Sequence, residues 1–410
     1  MMTPAQSTPP QPAARGLRVL FFGTATTAAG YPRPRVLLRG LRDNGVEVIE
    51  CRAPLWASSG ERVHAAQSLF SLRSLAHVLR AEASLLRRFF EVGRYDAVLV
   101  GPEGYLDIIL VRLLSLMRRR PVVFDPFISL YDTMVEDRQL VAPRSFKAGG
   151  LRFLDRLACR LADAVILDTE AMVRHYAEDF QLPRHKLFRV LVGEEDDLFS
   201  PPAGEPPPEP PAPPLRVLWF GTHIPLHGVP VIIAAAAALQ RDGVQFTLIG
   251  NGQGFPTAAA AAAGLENVTF IPGFVPPAQL REQLEGSHVA LGIFGTTKKA
   301  SRVIPCKVFD ILSAGRALVT ADTPAIRELV LPDQHAVLVP AGDAAALARA
   351  LLALRDDPAR RTALARAGIT LYRQRATPKV LGAELLRILQ RLIKARPQSE
   401  GDFGTSTNPP

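Results

Sequence analysis

Cysteine is scarce in this 410-residue chain, which has only Cys51, Cys159 and Cys306, an odd number with neither a CxxC pair nor a Cys/His ligand spacing. Neither a disulfide framework nor a zinc site is indicated, no other metal or cofactor is called for, and a reducing cytoplasm is the expected compartment. Long apolar runs are also missing. No uninterrupted stretch reaches the roughly 18 residues of a membrane-spanning helix. The longest candidate, from Tyr105, contains Asp107 and Arg112 and ends on Arg118, Arg119 and Arg120. The first sixteen residues are polar and proline-rich where a secretory signal needs an apolar stretch. Acidic residues are the minority, 39 against 48 Lys and Arg, and the net charge of +9 favours an anionic partner.

Several chemical signatures are absent as well. There is no Walker A lysine pattern, no His-Glu-x-x-His and no Gly-x-Ser-x-Gly elbow, which removes the usual support for P-loop NTPases, zincins and α/β-hydrolases. Gly250-Asn251-Gly252-Gln253-Gly254 follows an apolar run, but a dinucleotide fingerprint would need its third glycine at Phe255, and Pro256 comes next. It reads as a turn. Aromatics do not interleave with the basic residues, so nucleic acid is not expected as a partner.

What the chain does have is an internal echo. LRVLFFGT begins at Leu17 and LRVLWFGT at Leu215, differing only where Phe21 becomes Trp219. Each is a buried-strand pattern ending at a tight Gly-Thr turn. Between them, Pro201 to Pro214 holds nine prolines in fourteen positions, a stiff solvated linker with polyproline II character. Short apolar runs alternate with helix-period segments in both halves, which implies parallel βαβ units. The fold class expected is α/β, two Rossmann-like doubly wound domains facing across a cleft. The boundaries expected are a disordered tail over 1–16, a first domain over 17–199, the linker over 200–214, and a second domain over 215–376. A terminal helix over 377–395, opened by Thr377-Pro378 and able to cross back to the first domain, then leads into a disordered tail over 396–410.

Ligands in open parallel sheets bind outside the carboxyl ends of the strands, so Gly23-Thr24 and Gly221-Thr222 are the first positions to consider. The richest polar cluster follows Phe294 and gathers Lys298, Lys299, Arg302 and Lys307 before a helix carrying Asp310. Cations at a helix start oppose its dipole unless an anion such as phosphate accompanies them.

The segment PCKVFDILSAGRALV from Pro305 resembles the donor-binding segment of retaining GT-B glycosyltransferases of family 4, the glycosyl transferases group 1, typically P-x-K-x-x-E-x-x-A-x-G-x-P-V-[IV]. GTHIPLHGVPVIIAAAAAL, FTLIGNGQG and HAVLVPAGDAAALARAL resemble that family's glycine loop, its strand-and-glycine turn at Gly250 and its L-V-P-x-G-D segment, in order. The first half resembles it weakly. The resemblance implies a second domain that binds a nucleotide-diphosphate sugar and a first domain that binds the acceptor. Asp310 takes the place of the family's second motif carboxylate, which accepts from ribose hydroxyls, and is one methylene shorter. Eight positions earlier, where a Glu would contact the donor sugar, stands Arg302, which cannot accept hydrogen bonds. The family's basic pair for the diphosphate is represented by His223 and His227, leaving Lys307, Lys298 or Lys299 to supply the charge.

On the acceptor side the resemblance brings in Gly23, Thr24, Gly30, Tyr31 and Arg33 after the first strand, with Asp125 and Asp132 after another as candidates to orient an acceptor hydroxyl. The function implied is transfer of a sugar to a glycan or lipid-linked acceptor, with retention, in polysaccharide or glycolipid assembly. A nucleotide-sugar epimerase and a non-catalytic sugar-nucleotide-binding relative stay open. Residues 62–94 interleave leucines with Arg73, Arg80, Arg87 and Arg88. With Arg118 to Arg120 they could seat the first domain peripherally on anionic lipid at the inner face of the cytoplasmic membrane.

Overall fold

The computed structural model describes residues 16–24, 32–53, 72–102, 104–127, 129–201 and 205–395. The terminal stretches 1–15 and 396–410, together with Gly30, Tyr31 and Leu69, lie outside them.

Six short β-branched runs form the first sheet: β1 (Arg18–Gly23), β2 (Glu47–Arg52), β3 (Ala97–Val100), β4 (Val122–Phe124), β5 (Ala164–Leu167) and β6 (Leu187–Arg189), in the order β2-β1-β3-β4-β5-β6. A second sheet contains β7 (Leu215–Phe220), β8 (Val244–Ile249), β9 (Val268–Ile271), β10 (Val289–Leu291), β11 (Ala317–Ala321) and β12 (Val337–Val339), in the order β12-β11-β10-β7-β8-β9. Every pairing is parallel. The α/β doubly wound expectation therefore holds in both halves.

The two echoed sequences are β1 and β7, each an interior strand beside which the order reverses. Such switch points leave a crevice at the carboxyl ends of the flanking strands, here after β1 and β3 and after β7 and β10. On one face of the first sheet lie α2 (Leu72–Glu91), α3 (Asp107–Arg118), α4 (Phe146–Leu161) and α5 (Glu170–Glu178). They share a core of Leu85, Phe89, Val111, Ala158 and Met172 with Leu20, Val98 and Val165. The other face holds α1 (Pro32–Asp43).

The final helix, α13 (Pro378–Lys394), packs on α1 rather than on its own sheet. Thr377 caps it by accepting from the Val380 N–H. The contact is close because both helices are glycine there. A Cβ on Gly40 would lie 2.0 Å from the Pro378 carbonyl oxygen and 2.9 Å from the Gly382 Cα. Leu381, Leu385 and Leu389 then join Val36, Leu37 and Leu41 in one core cluster.

The proline-rich segment differs from a free, solvated linker. Arg316 donates to the Pro207 carbonyl at 2.8 Å, His288 Nε2 lies 2.9 Å from the Pro210 carbonyl, and Arg361 pairs with Glu209 at 2.5 Å. A polyproline backbone makes no internal hydrogen bonds, so its carbonyls are free to accept from the second domain.

Gly382→Leu is expected to lower unfolding free energy by about 1–3 kcal/mol or more through overpacking against α1. Gly93→Ala, whose added Cβ meets nothing within 4 Å, is the control. Urea denaturation of both variants checks this, and equal midpoints would contradict the packing described.

Candidate functional site

The site begins at the Gly221 turn after β7. Gly221 has φ +140° and Gly250 φ +139°, and a Cβ on Gly250 would fall 1.8 Å from the Gly221 carbonyl oxygen. Only glycine permits that approach. Across the turn stands α10 (Cys306–Ser313), whose N-terminus has no side-chain cap after Pro305. Its second residue, Lys307, is buried and sends Nζ to the turn, 2.9 Å from where a Gly221 Cβ would be. That Nζ has no hydrogen-bond partner among the described residues and rests 4.2 Å from the Trp219 ring centroid. Burial holds its pKa well below the usual lysine value, only partly offset by Asp310. An unpaired buried ammonium beside a glycine turn and an uncapped helix start is built to meet an anion.

Two histidines line the same turn. Burial, then the charge of Lys307, pushes His223 down to about 4, and neither of its ring nitrogens has a partner. Half-buried His227 is lowered for the same causes, and its Nδ1 meets the Thr222 carbonyl oxygen. Both rings are neutral at physiological pH. Neither supplies the charge expected of a basic pair, and only His223 has an N–H left to hydrogen-bond a diphosphate. Thr222 is exposed, and Lys298 is a solvated side chain rather than part of the turn.

Three residues beyond Lys307, Asp310 is buried against Glu194, which follows β6 and comes from the other half of the chain. Burial and the neighbouring carboxyl both raise Asp310 well above the carboxylate range, and burial raises Glu194 too. Asp310 Oδ1 has no hydrogen-bond partner among the described residues. Spacing along α10 can find Asp310 but not Glu194, whose only local signal is a Gly-Glu-Glu run after a strand.

Arg302 crosses to the first domain instead of facing the turn. Its guanidinium pairs with Glu136, lies 3.9 Å from Asp132, and places NH1 2.6 Å from His175 Nδ1. His175 Nε2 is in turn 3.0 Å from Asp132 Oδ1 and 3.1 Å from Oδ2. Asp132 is therefore not a free base able to orient an acceptor hydroxyl, because both oxygens are committed to His175. Burial works against both charged forms, but their mutual hydrogen bond and charge prevail, lowering Asp132 and raising His175. His175 Nδ1 also meets Asp179. The imidazolium donates there, whereas a neutral ring accepts from Arg302.

Further polar contacts cross the cleft. Glu328 accepts from the Glu170 and Ala171 N–H groups at 2.6 and 2.9 Å, capping α5 from the second domain. Asp137 accepts from the Leu226 N–H at 2.9 Å, and Lys299 donates to Thr133 at 2.8 Å. Lys299 is thus a cross-domain contact.

Of the first-domain candidates, Arg33 and Asp125 neutralise each other. Both are fully buried, Arg33 Nε donates to both Asp125 oxygens at 2.8 Å, and NH1 reaches the Val190 carbonyl at 2.8 Å. Both candidates are thus paired with each other in the first domain's interior. Gly23 and Thr24 are at the cleft edge, where Thr24 donates from N and Oγ1 to Asp107 at 2.7 and 3.0 Å. A Cβ on Gly23 would strike the same carboxylate at 2.3 Å. Asp168, after β5, was not a sequence candidate. Burial raises it to about 7 even with Arg33 nearby, a value suited to proton exchange.

Two facing α/β sheets with an anion-seeking turn in the second are the features of a GT-B glycosyltransferase. The chain belongs to that class. Residues 11–193 match the family model "Glycosyl transferase 4-like domain", and residues 214–357 match "Glycosyl transferases group 1". WcaL of Escherichia coli K12, described as a colanic acid biosynthesis glycosyltransferase, is 29% identical over 177 residues, 42% of each chain. The amylovoran biosynthesis glycosyltransferase AmsK of Erwinia amylovora is 27% identical over 184 residues, 44% of this chain and 45% of AmsK. The matched region thus spans less than half the length of these curated relatives. Among solved structures, sucrose-phosphate synthase of Thermosynechococcus elongatus superposes with TM-score 0.67 at 16% identity, over 93% of this chain and 100% of that one. Anabaena HepE in complex with UDP-glucose gives 0.64 at 15%, over 92% and 100%.

Lys307→Met is expected to stabilise the ligand-free protein by about 1–3 kcal/mol, since it removes a buried polar group that has no partner. It should also abolish any thermal stabilisation by inorganic pyrophosphate. A variant that melts earlier than wild type would show that the ammonium has a structural partner. For His175, the folded pKa lies above the unfolded value of 6.5. Its stabilisation is therefore complete below the unfolded pKa and is lost as pH rises through the folded one. Between about pH 6 and 8 the thermal midpoint of wild type should fall more steeply than that of His175→Gln. Parallel slopes would remove the imidazolium from the account.

Proposed function

We propose that this chain transfers a sugar from a nucleotide-diphosphate sugar to an acceptor hydroxyl, with retention, the acceptor being a glycan or a lipid-linked sugar in polysaccharide or glycolipid assembly. The observation that carries the proposal is Lys307, a buried ammonium with no partner, aimed at the Gly221 turn beside the uncapped start of α10.

In this reading the diphosphate lies between the Gly221 turn and α10. Lys307 and the backbone N–H groups of the helix start stabilise the negative charge that grows on it as the glycosidic bond to the donor breaks. His223, neither of whose ring nitrogens has a partner, is an uncharged donor to the same oxygens, while His227 spends its one N–H on the Thr222 carbonyl. The Asp310–Glu194 pair receives the nucleotide's ribose, Asp310 Oδ1 accepting from a hydroxyl. Contacts such as Arg302 with Glu136 hold the lobes together so that water is kept from the electron-poor sugar carbon. Asp168, raised to about 7, has the proton affinity to exchange a proton with an acceptor hydroxyl in that cleft.

Arg302 in place of a carboxylate favours one second reading, a relative that binds a sugar nucleotide without transferring its sugar. An epimerase would convert the donor with no acceptor present.

Thermal melts with a panel of uridine, guanosine, adenosine and thymidine diphosphate sugars test the donor class. One member at about 100 times its Kd should stabilise by roughly 2.7 kcal/mol. Asp310→Ala should weaken that ligand by up to about tenfold, the loss of one hydrogen bond to a ribose hydroxyl. No shift with any member would sink the donor reading. A shift without transfer to membrane glycolipid extracts or donor hydrolysis would favour the binding protein, and conversion of the donor alone the epimerase. The anomeric configuration of a transferred sugar, read by proton NMR, decides retention.

A further inference from the structure

The outer surface of the first domain is unlike that of the second. Of the twelve exposed large apolar side chains among the described residues, only Phe274 and Leu331 belong to the second domain. Of the other ten, Leu140 lies in the segment before α4 and nine lie on or at the start of three adjacent helices. On α2, Leu79, Leu86 and Phe90 face solvent, steps of seven and four residues. Around α3, Leu106, Leu113 and Met117 repeat the same steps. On α4, Phe146 and Phe153 stand seven apart. Seven and eleven residues are close to whole numbers of helical turns, so each set forms one outward stripe.

The three stripes share one face. α2, α3 and α4 connect β2, β3, β4 and β5 in succession, and their inner residues enter a single core with the sheet. Their outward sides therefore point the same way. Exposure is high, 62% for Leu113, 73% for Met117 and 65% for Phe153, and complete for Phe146. Soluble monomers seldom leave contiguous apolar patches beyond about 300–600 Å² without a use for them.

Charge decides what covers this face. Over 77–94, 106–120 and 144–160 there are thirteen Arg and Lys against four Asp and Glu, and two of those acids, Asp107 and Asp155, are buried. Exposed Arg80, Arg87, Arg152 and Lys147 alternate with the apolar side chains rather than forming a separate patch. Apolar side chains that enter an acyl layer, with guanidinium groups at headgroup depth, form the pattern of a helical surface seated in an anionic bilayer.

We infer that the outward face of α2, α3 and α4 is a membrane seat that inserts its apolar side chains into an anionic lipid surface without spanning it. Leu106 and Phe146 lie at the amino ends of α3 and α4, the end of the first sheet where the cleft opens. The seat thus runs to the cleft rim. On the transfer reading above, this names the acceptor class as an amphiphile whose tail stays in the bilayer while its hydroxyl enters the cleft.

The test is co-sedimentation of the full chain with vesicles of phosphatidylcholine alone or with about 30 mol % phosphatidylglycerol. Binding is expected to be about tenfold or more stronger on the anionic vesicles. It should fall about tenfold again in the triple variant Leu113→Asp, Met117→Asp, Phe153→Asp, with the thermal midpoint retained. A less disruptive set, the same positions to Ser, repeats the measurement should the first variant melt early. Absence of vesicle binding overturns the inference. So does equal binding by wild type and variant, which would leave only a charge effect. A wild-type dimer in lipid-free sedimentation velocity that the variant dissolves would assign the face to a second copy and overturn it too. No nucleotide is present, so a failed donor reading leaves the vesicle result standing, and a failed vesicle result leaves the nucleotide melts untouched.

Discussion

A single ammonium, that of Lys307, is left without a counter-ion in the interior, and much of the second domain's local geometry follows from making room beside it. Trp219 supplies a ring face, which is partial compensation for a desolvated cation. Asp310 would neutralise it if ionised, but burial and the neighbouring Glu194 carboxyl disfavour its ionisation. The Gly221 and Gly250 turns bring backbone rather than side chains up to the charge. Both histidines that could have added charge are held neutral. The site is therefore one negative charge short of balance, and that charge can come only from outside.

The contacts between the lobes divide into two kinds. α13 and α1 meet through glycines and a leucine core, an apolar junction that cannot separate without exposing it to water. At the cleft the contacts are single polar links: Glu328 on the start of α5, Asp137 on the Leu226 N–H, Lys299 on Thr133, and Arg302 on Glu136. Each of those groups can be rehydrated, so each costs little to break.

The architecture was legible because it is written in local pattern. The repeated LRVL-x-FGT marks the interior strand of each sheet, and the alternation of apolar runs with helical segments fixes parallel βαβ units. Lys307 and Asp310 were legible for the same reason, since three residues along one helix set their relation. Pairings between distant segments were not. Asp125 and Asp132 both follow β4 and look alike in sequence, yet each is already committed, one to Arg33 92 residues away and the other to His175 43 residues on. Sequence shows a carboxylate but not its partner, and the partner determines whether it is free for chemistry. Glu194, Glu328 and Asp168 escaped notice because nothing near them in the chain marks them.

Arg302 is the informative departure from the family pattern, and its surroundings explain why arginine is tolerated there. A glutamate at this position would sit among Asp132, Glu136 and Asp179, adding a further acid to a poorly solvated group with His175 as the nearest cation from the same domain. Two unscreened acids that close disfavour ionisation of both. The guanidinium instead satisfies Glu136, lowers Asp132 and ties the second domain to the first. Acids are thus gathered on the first domain and the base is supplied by the second. A carboxylate contact to the sugar, if the chemistry needs one, has to come from a different strand end. Asp168 at the end of β5 is buried in the same cleft, is raised by burial rather than spent on an ion pair, and is the group whose protonation is left open by its environment.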